Sequence, residues 1–313
     1  TMANASTIID EKSGKRRMQS VEERYTRGVK IQAIIRFVVC LIITVISLFP
    51  IYIILINATR DSGDIISQGI SLLPGGNLIK NFETLNDPSA ADGAFVSAFN
   101  LFYGYANSLI ISIGATACAV FFSGLTAYGL VVYDFKLKKA ATTFILAVMM
   151  VPMQVVSTGF LEFMVQIKLY DNFIPLIVPA VAAPAVVFFM LQYMKSSFPL
   201  EIVEAARIDG SGEFMTFIRI ALPILKPAFA VQAIFQFVAN WNNYYTPSML
   251  LLSNKIEQRT MPMMVAGVLG NDKIVDFGVK YLVVILSILP IVVIYLCLSK
   301  FIVKGVALGA VKG

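Results

Sequence analysis

Long apolar runs constrain this chain more than any other feature. Six segments of about 20 or more mainly apolar residues follow one another along the sequence. Because backbone N–H and C=O groups find no partners in lipid, such runs predict membrane-spanning α-helices. We therefore predict an all-α membrane protein with six transmembrane helices. The predicted spans are residues 37–57, 105–133, 141–165, 173–194, 227–252 and 281–303.

The composition supports a membrane protein and argues against most catalytic classes. The chain is 58% hydrophobic and 14% charged, whereas soluble domains are roughly 45–50% apolar and about 25% charged. Histidine, a common general base and metal ligand, is absent. Cys40, Cys118 and Cys297 each lie in an apolar run without metal-ligand spacing. We predict that they are small buried apolar side chains, with no disulfide and no metal site.

The distribution of basic residues predicts the orientation of the spans. With the N-terminus in the cytosol, 18 of the 25 Lys and Arg residues fall on the cytosolic side, as the positive-inside rule requires. Six spans then return the C-terminus to the cytosol. We expect residues 1–34 to form a cytosolic tail, which could end in an interfacial helix, and residues 35–313 to form the membrane domain. The polar loop 195–226, between predicted spans four and five, would also be cytosolic.

Loop 195–226 carries a motif with fixed spacing. Glu204-Ala205-Ala206 is followed after three residues by Gly210, after nine more by Ile220, and then by Leu222-Pro223. Alanine and glutamate favour a helix, and a glycine readily takes the left-handed conformation that ends one. Ser211 could cap a second helix. The sequence therefore predicts a helix, a sharp turn at Gly210 and a second helix.

This complete spacing resembles the EAA coupling loop of permease subunits from bacterial ATP-binding-cassette (ABC) importers; we call residues 195–226 the EAA loop. The wording E-A-A-R-I-D-G is frequent in sugar permeases. Residues 107–110 (N-S-L-I), 150–154 (M-V-P-M-Q) and 169–172 (L-Y-D-N) are similar to maltose-type permeases, and the resemblance covers residues 35–313. Two departures are the longer stretch 87–103 and the acidic Glu162 in span three.

The resemblance implies the maltose-type permease fold, with the EAA helix docked in a cleft of a separate ATPase subunit. It implies that Glu204 pairs with a basic group of that subunit. It further implies a bacterial inner-membrane location and a permease partner, expected to be a second, different homologue in a heterodimer. Two ATPase subunits would bind ATP and Mg²⁺, and an external solute-binding protein would deliver a carbohydrate. The implied coupling residues are Glu204, Ala205, Ala206, Arg207, Asp209, Gly210, Ile220, Leu222 and Pro223.

The chain itself offers no source of energy and no cofactor site. It has no G-x-x-x-x-G-K-[ST] phosphate loop, so ATP would have to be hydrolysed elsewhere. We expect no cofactor, metal or nucleic acid to bind this chain. A secondary transporter usually shows internal repeats and intramembrane charges, which are not evident here. A membrane enzyme would need a catalytic pattern, and neither H-E-x-x-H nor G-x-S-x-G occurs.

Polar side chains repeat at helical spacing along two predicted spans. In span five four amides occur at steps of four, four and three residues, which places them on one face at about 100° per residue. Amides and hydroxyls both donate and accept hydrogen bonds, and aromatic rings offer flat apolar faces, as a sugar requires. The predicted substrate-path residues are Gln154, Thr158, Glu162, Gln232, Gln236, Asn240, Trp241, Asn243 and Tyr244.

These stripes have other interpretations. They could form hydrogen bonds between helices or to a partner subunit, and in a paired permease one subunit could carry the whole substrate site. Glu162 could act at a gate, contact a cation or amine, or pair with a lysine of the sister subunit. Peptide, amino-acid and phosphate permeases also carry EAA loops, so the motif alone leaves the cargo open.

Overall fold

The computed structural model describes the backbone of residues 2–253 and 255–310, and the side chains of residues 29–152, 155–253 and 255–299. Within these ranges the chain is helical, without β-strands. Short 3₁₀ segments and one π-helical segment, Phe217–Ala221, join some of the helices. The α-helices are α1 (Met2–Asn57), α2 (Ser62–Gln68), α3 (Leu78–Asn86), α4 (Ala94–Ala98), α5 (Leu101–Val132), α6 (Lys138–Met149), α7 (Met153–Gln166), α8 (Ile174–Ile177), α9 (Pro184–Ser197), α10 (Glu201–Ile208), α11 (Glu213–Thr216), α12 (Leu222–Ile224), α13 (Lys226–Trp241), α14 (Tyr245–Leu250), α15 (Met261–Leu269) and α16 (Phe277–Ala310).

Four stretches are long and apolar enough to cross a membrane: Val29–Asn57, Ala90–Val132, Ile174–Ser197 and Phe277–Ser299. They correspond to predicted spans one, two, four and six. Predicted span five, residues 227–252, is divided into α13 and α14. Helix α13 also forms a bent pair with the preceding helical stretch Glu213–Ile224, which it meets at 81°. The described residues thus give four spans, or five with the bent pair, and they do not confirm the count of six.

Predicted span three is divided into α6 and α7. The break falls at residues 150–152, where Pro152 precedes the first residue of α7. Proline has no N–H for the helical ladder and disfavours helical geometry at the residue before it, so α6 ends at Met149. Pro50 and Pro290, by contrast, lie inside the unbroken helices α1 and α16. All three prolines lie within predicted spans, and the sequence pattern does not distinguish an unbroken helix from a break.

Helix α5 occupies the centre of the bundle. It packs against α9 on one side and α13 on another, while α16 packs on α13 and α1 on α16. Gly124 allows the close approach of α5 to α13, because a Cβ at this position would overlap the ring of Phe229. Small residues let transmembrane helices approach in this way.

The buried side chains form two clusters at opposite ends of the bundle. One joins α5, α13, α15 and α16 around Trp241 and Met264. The other joins α5, α9 and the EAA loop around Tyr128, Met190 and Phe217. Helices α1 and α6 are exposed along most of their described length. These faces are therefore available to lipid or to another subunit.

The cysteines only partly follow the prediction. All three are free in this structure. Cys118 is half-buried, but Cys40 and Cys297 are exposed, so their predicted burial was wrong. Both lie on peripheral helices, α1 and α16, where an apolar run faces outward rather than into a core.

The loop after α1 is held by a buried arginine. Arg60 is 6% exposed, and its guanidinium donates to the Gly69 carbonyl at 2.7 Å and to Gln68 Oε1 at 3.2 Å. Asn57 and Asn81, also buried, bond to neighbouring carbonyls. A buried charge is tolerated when its donors are satisfied, so this cluster fixes the start of the long loop against the end of α1.

Candidate functional site

The EAA loop begins with a short helix that is buried on one side only. In α10 the inward side chains are Val203 and Ala206, 1% and 5% exposed. Glu204 and Ala205 are exposed. The two alanines of the motif therefore differ in role. Ala206 lets α10 lie close to the bundle. Ala205, a small side chain on the outer surface, lets another molecule approach the Glu204 carboxylate closely.

A Schellman turn ends α10, as the sequence predicts. Gly210 has φ +78°, its N–H donates to the Arg207 carbonyl at 3.0 Å, and the Ser211 N–H donates to the Ala206 carbonyl at 2.9 Å. Ser211 does not cap the next helix, because Gly212 holds that position. Its hydroxyl instead accepts a hydrogen bond from the buried Thr216 hydroxyl at 2.9 Å.

Three side chains join the EAA loop to the end of α5, and we call them the Arg207–Glu213–Tyr133 triad. Arg207 Nε and Nη2 donate to Glu213 Oε1 and Oε2 at 2.7 and 3.2 Å. The Tyr133 hydroxyl donates to Glu213 Oε2 at 2.7 Å, and the Arg207 guanidinium lies 5.5 Å from the centre of the Tyr133 ring. The bonds from Arg207, and then from Tyr133, lower the pKa of the Glu213 carboxyl.

Sequence reasoning assigned Arg207 to coupling but missed its partners. The sequence pattern assigned no role to Glu213, and position 133 entered only as the last residue of predicted span two. The available signal was the six-residue separation of an arginine and a glutamate across a predicted glycine turn. The position of Tyr133 could not be found this way, since it depends on how α5 packs.

The second half of the motif forms a π-helical segment and a bend. Ile220 and Leu222 are half-buried and Pro223 is exposed, while the fully buried residues are their neighbours Phe217, Ala221 and Leu225. Asp209, at the end of α10, is exposed. Pro223 lies in the first turn of α12, just before the 81° bend into α13.

Aromatic rings anchor the EAA loop beneath the triad. The Tyr128 ring of α5 lies 5.3 Å from Phe217 and 6.3 Å from Phe198, between ring centres. Phe121 lies 6.0 Å from Phe217 in an edge-on arrangement. Such pairs contribute beyond the area they bury, so the loop is attached to α5 by packing as well as by charge.

The predicted polar stripe of span five is interrupted. Gln232 is buried, and Gln236 and Asn240 are half-buried along α13. The Asn240 amide donates to the Gln236 carbonyl at 2.8 Å. Asn243 follows the end of the helix, and its Oδ1 accepts a hydrogen bond from the Thr246 N–H at 3.2 Å at the start of α14. The 100° periodicity therefore does not carry through to Asn243.

Trp241 lies in the core rather than on an open face. Its side chain is 1% exposed, and its Nε1–H donates to the Ser287 carbonyl of α16 at 3.0 Å. The indole stacks on Phe237 with ring centres 5.8 Å apart. Within this chain the ring therefore presents no open face to a sugar.

Tyr244 is the predicted aromatic residue that faces open space. It is 49% exposed and lines a cavity of about 430 Å³. The polar side chains that line the cavity beside it are Ser248 and Arg259. The Arg259 guanidinium also donates to the Ser97 carbonyl at 3.3 Å, which holds it near the cavity.

The span-three residues lie on α7, which packs loosely. Thr158 and Glu162 are exposed, and the side chain of Gln154 lies outside the described residues. Helix α7 contacts α14, where the Ser157 hydroxyl donates to the Tyr245 hydroxyl at 3.4 Å. The side chains of Thr158 and Glu162 therefore face away from the bulk of this chain.

Two of the motifs shared with maltose-type permeases, residues 107–110 and 169–172, form hydrogen bonds to the segment that joins α14 to α15. The Asn107 amide donates to the carbonyls of Glu257 and Arg259 at 2.8 and 2.9 Å. Ser108 Oγ accepts from the Met261 N–H at 2.7 Å. Asp171 Oδ1 accepts from the Ser253 N–H at 2.7 Å. The sequence singled out these motifs without indicating that they bind one common segment.

Comparison with known proteins identifies relatives along most of the chain. Residues 119–308 match the family described as binding-protein-dependent transport system inner membrane component. The arabinooligosaccharides transport system permease protein AraQ of Bacillus subtilis is 30% identical over 281 residues, covering 87% of this chain and 93% of that protein. The lactose transport system permease protein LacG of Rhizobium radiobacter is 27% identical, covering 89% and 96%.

A solved structure shares the fold. It is the crystal structure of a bacterial ABC transporter involved in the import of the acidic polysaccharide alginate. The matching chain superimposes with a TM-score of 0.65 at 20% identity, over 87% of this chain and 96% of that one. The helical arrangement described above is therefore that of an ABC importer permease.

Proposed function

This chain belongs to the family of inner membrane components of binding-protein-dependent transport systems, and we propose that it imports an oligosaccharide or related carbohydrate as the permease subunit of an ATP-driven complex. It is a multi-pass membrane protein. The relatives described above are named for arabinooligosaccharides and lactose, which supports a carbohydrate rather than a peptide, amino-acid or phosphate cargo.

The exposed outer face of α10 is the observation that carries the proposal. Glu204 and Ala205 point away from the bundle, and Glu204 makes no ion pair or side-chain hydrogen bond with any described residue. A small residue beside an unpaired carboxylate suits a partner that brings a cation close to the helix. We assign this face to a separate ATPase subunit, with two such subunits holding ATP and Mg²⁺.

The exposed helices on one side of the bundle support assembly with a second permease subunit. Helices α6 and α7 expose most of their residues, and Thr158 and Glu162 of α7 face away from the rest of this chain. Polar side chains within membrane segments usually face a cavity or another helix. We therefore place a homologous permease, in a heterodimer, on this side, with Gln154, Thr158 and Glu162 along the shared path.

The remaining substrate-path residues belong to α13 and the turn after it. Gln236, Asn240 and Tyr244 have exposed or half-buried side chains and supply amides and a ring for sugar hydroxyls and a pyranose face. A solute-binding protein delivers the sugar from outside, and ATP closes the ATPase dimer. The resulting movement of α10 switches the substrate path between access from the outside and access from the cytosol. The N- and C-termini lie in the cytosol.

Purification of the intact complex tests this function. The chain should co-purify with an ATPase and a second permease, and the complex in proteoliposomes should accumulate sugar with ATP and the binding protein. Glu204→Lys should lower uptake at least tenfold while the binding protein still delivers solute to the outer face, because the new charge repels the basic partner. The matched control is Glu83→Lys on the exposed α3. Uptake by this chain alone, driven by an ion gradient, would replace the proposal with a secondary transporter.

A further inference from the structure

We propose that the Arg207–Glu213–Tyr133 triad is a strut that couples movement of the EAA helix directly to the end of α5. This inference rests on the proposed function, since it concerns how the permease transmits the movement of its ATPase. It assigns positioning roles to Tyr133 and Glu213, neither of which belongs to the EAA spacing, and it turns Arg207 from a partner-binding residue into an internal one.

Both oxygens of the Glu213 carboxylate accept hydrogen bonds within this chain. Oε1 accepts from Arg207 Nε at 2.7 Å, and Oε2 accepts from Arg207 Nη2 at 3.2 Å and from the Tyr133 hydroxyl at 2.7 Å. A two-pronged arginine–carboxylate pair fixes direction as well as distance. Arg207 belongs to α10, Glu213 to α11, and Tyr133 ends α5, so three elements meet at one carboxylate.

The chain connections alone would leave this link indirect. Along the backbone, α10 is joined to the bundle through α9 on one side and through α11, the π-helical segment and α12 on the other. The buried face of α10, Val203 and Ala206, packs by apolar contact, which resists separation more than sliding. The triad adds the directional contact, and it acts on α5, the helix that packs against both α9 and α13.

The exposure of the triad makes position, rather than stability, its main contribution. The side chains of Arg207 and Glu213 are 39% and 44% exposed, and exposed ion pairs stabilise proteins little. A nearby pair offers a matched control. Lys138 Nζ lies 3.0 Å from Asp134 Oδ1 at the start of α6. Among the described residues, neither side chain forms a hydrogen bond or ion pair with α10 or α11. Loss of that pair should leave transmission unchanged.

The test measures sugar transported per ATP hydrolysed by the full complex in proteoliposomes. Glu213→Gln should lower this ratio about threefold to tenfold and Tyr133→Phe about twofold, magnitudes typical of a polar contact that is partly screened by solvent. The sugar concentration for half-maximal uptake should stay unchanged, and so should the ratio in Asp134→Asn. The double variant Arg207→Glu/Glu213→Arg exchanges the two charges and should recover most of the sugar transported per ATP that Glu213→Gln loses. Failure of the exchange to rescue would mean that Arg207 acts on a partner subunit, and an unchanged ratio in Glu213→Gln would also overturn the strut.

A second readout separates the strut from the proposed function. Spin labels at Leu137, in the turn between α5 and α6, and at Ile208, both exposed, in a background with the three cysteines replaced by serine, report the distance between that turn and α10. The distance distribution should be narrow and should broaden in Glu213→Gln but not in Asp134→Asn. If the narrow distance distribution is found in a complex without ATP-driven uptake, the proposed transport function is wrong and the link through the triad is supported. If uptake is normal and Glu213→Gln leaves the distance distribution unchanged, only the link through the triad is wrong.

Discussion

The EAA loop and the polar stripe of span five were predicted from the same kind of pattern, yet the structure treats them differently. In the EAA loop the helix, the glycine turn and the second helix all occur where the spacing places them. In span five the helix ends at Trp241, so the last members of the stripe leave its face. The motif encodes a backbone event, whereas the stripe assumes a helix that continues.

This difference shows which sequence patterns predict the folded structure reliably. A glycine with positive φ fixes the turn from within a few residues, independent of the surroundings. The orientation of an amide or an indole depends on neighbouring helices, and Trp241 has its hydrogen-bond partner 46 residues away on α16. Local conformational chemistry therefore predicts more reliably than periodicity does in a bundle with broken helices.

The largest effect should come from breaking the turn of the EAA loop. Gly210→Pro removes an N–H that donates to the Arg207 carbonyl and requires a φ near −65°, far from the observed +78°. We expect ATP-driven uptake to fall about 100-fold or more. Gly212→Ala is the matched control, since Gly212 has φ −68° and nothing lies within 4 Å of an added Cβ. Normal uptake in Gly210→Pro would contradict the assignment of this loop to coupling.

The next largest effect tests the placement of Trp241 in the core. Trp241→Ala removes a buried ring and leaves the Ser287 carbonyl without its donor, so it should destabilise the chain by about 3–5 kcal/mol on the scale of aromatic truncations in packed cores. Thermal unfolding in detergent measures this loss. A variant that keeps its Tm but transports sugar poorly would restore Trp241 to the substrate path.

A smaller effect is expected at Tyr244, the exposed aromatic residue of the same segment. Tyr244→Ala should raise the sugar concentration for half-maximal uptake a fewfold, because an open ring contributes about 1 kcal/mol of stacking or contact. Its Tm should stay close to that of the unaltered protein. The opposite result, a large fall in Tm with normal uptake, would show that the cavity beside Tyr244 is structural.

The smallest effect concerns the pH dependence of the triad. Arg207, followed by Tyr133, lowers the pKa of the Glu213 carboxyl in the folded chain. Its contribution to stability is therefore complete above the unfolded pKa of about 4.3 and is lost as the pH falls through the lower folded value. At neutral pH the Tm should exceed that of Glu213→Gln slightly, and the gap should close in acid. A gap that widens in acid would rule out an ionised Glu213 in the triad.

The sequence predicted the fold class, the location of most spans and the EAA turn, because apolar runs and a positive-φ glycine are local signals. It missed the division of span three, since Pro152 breaks its helix while Pro50 and Pro290 do not. It also missed Tyr133 and Glu213, whose meeting depends on the packing of α5 against the loop. The assignment of substrate-path residues stays a prediction, because the path requires surfaces that a single chain does not complete.

The interrupted helices have a consequence for how far water enters the membrane domain. Helical backbone is interrupted at residues 150–152, 182–183 and 242–244, and Ser123 Oγ donates to one of the carbonyls involved, that of Ala183, at 3.4 Å. Peptide groups at such breaks are tolerated at bilayer depth only beside protein or water. Their amide protons should thus exchange with deuterium far faster than those of α5 and α16, and they would mark the level to which solvent enters the membrane.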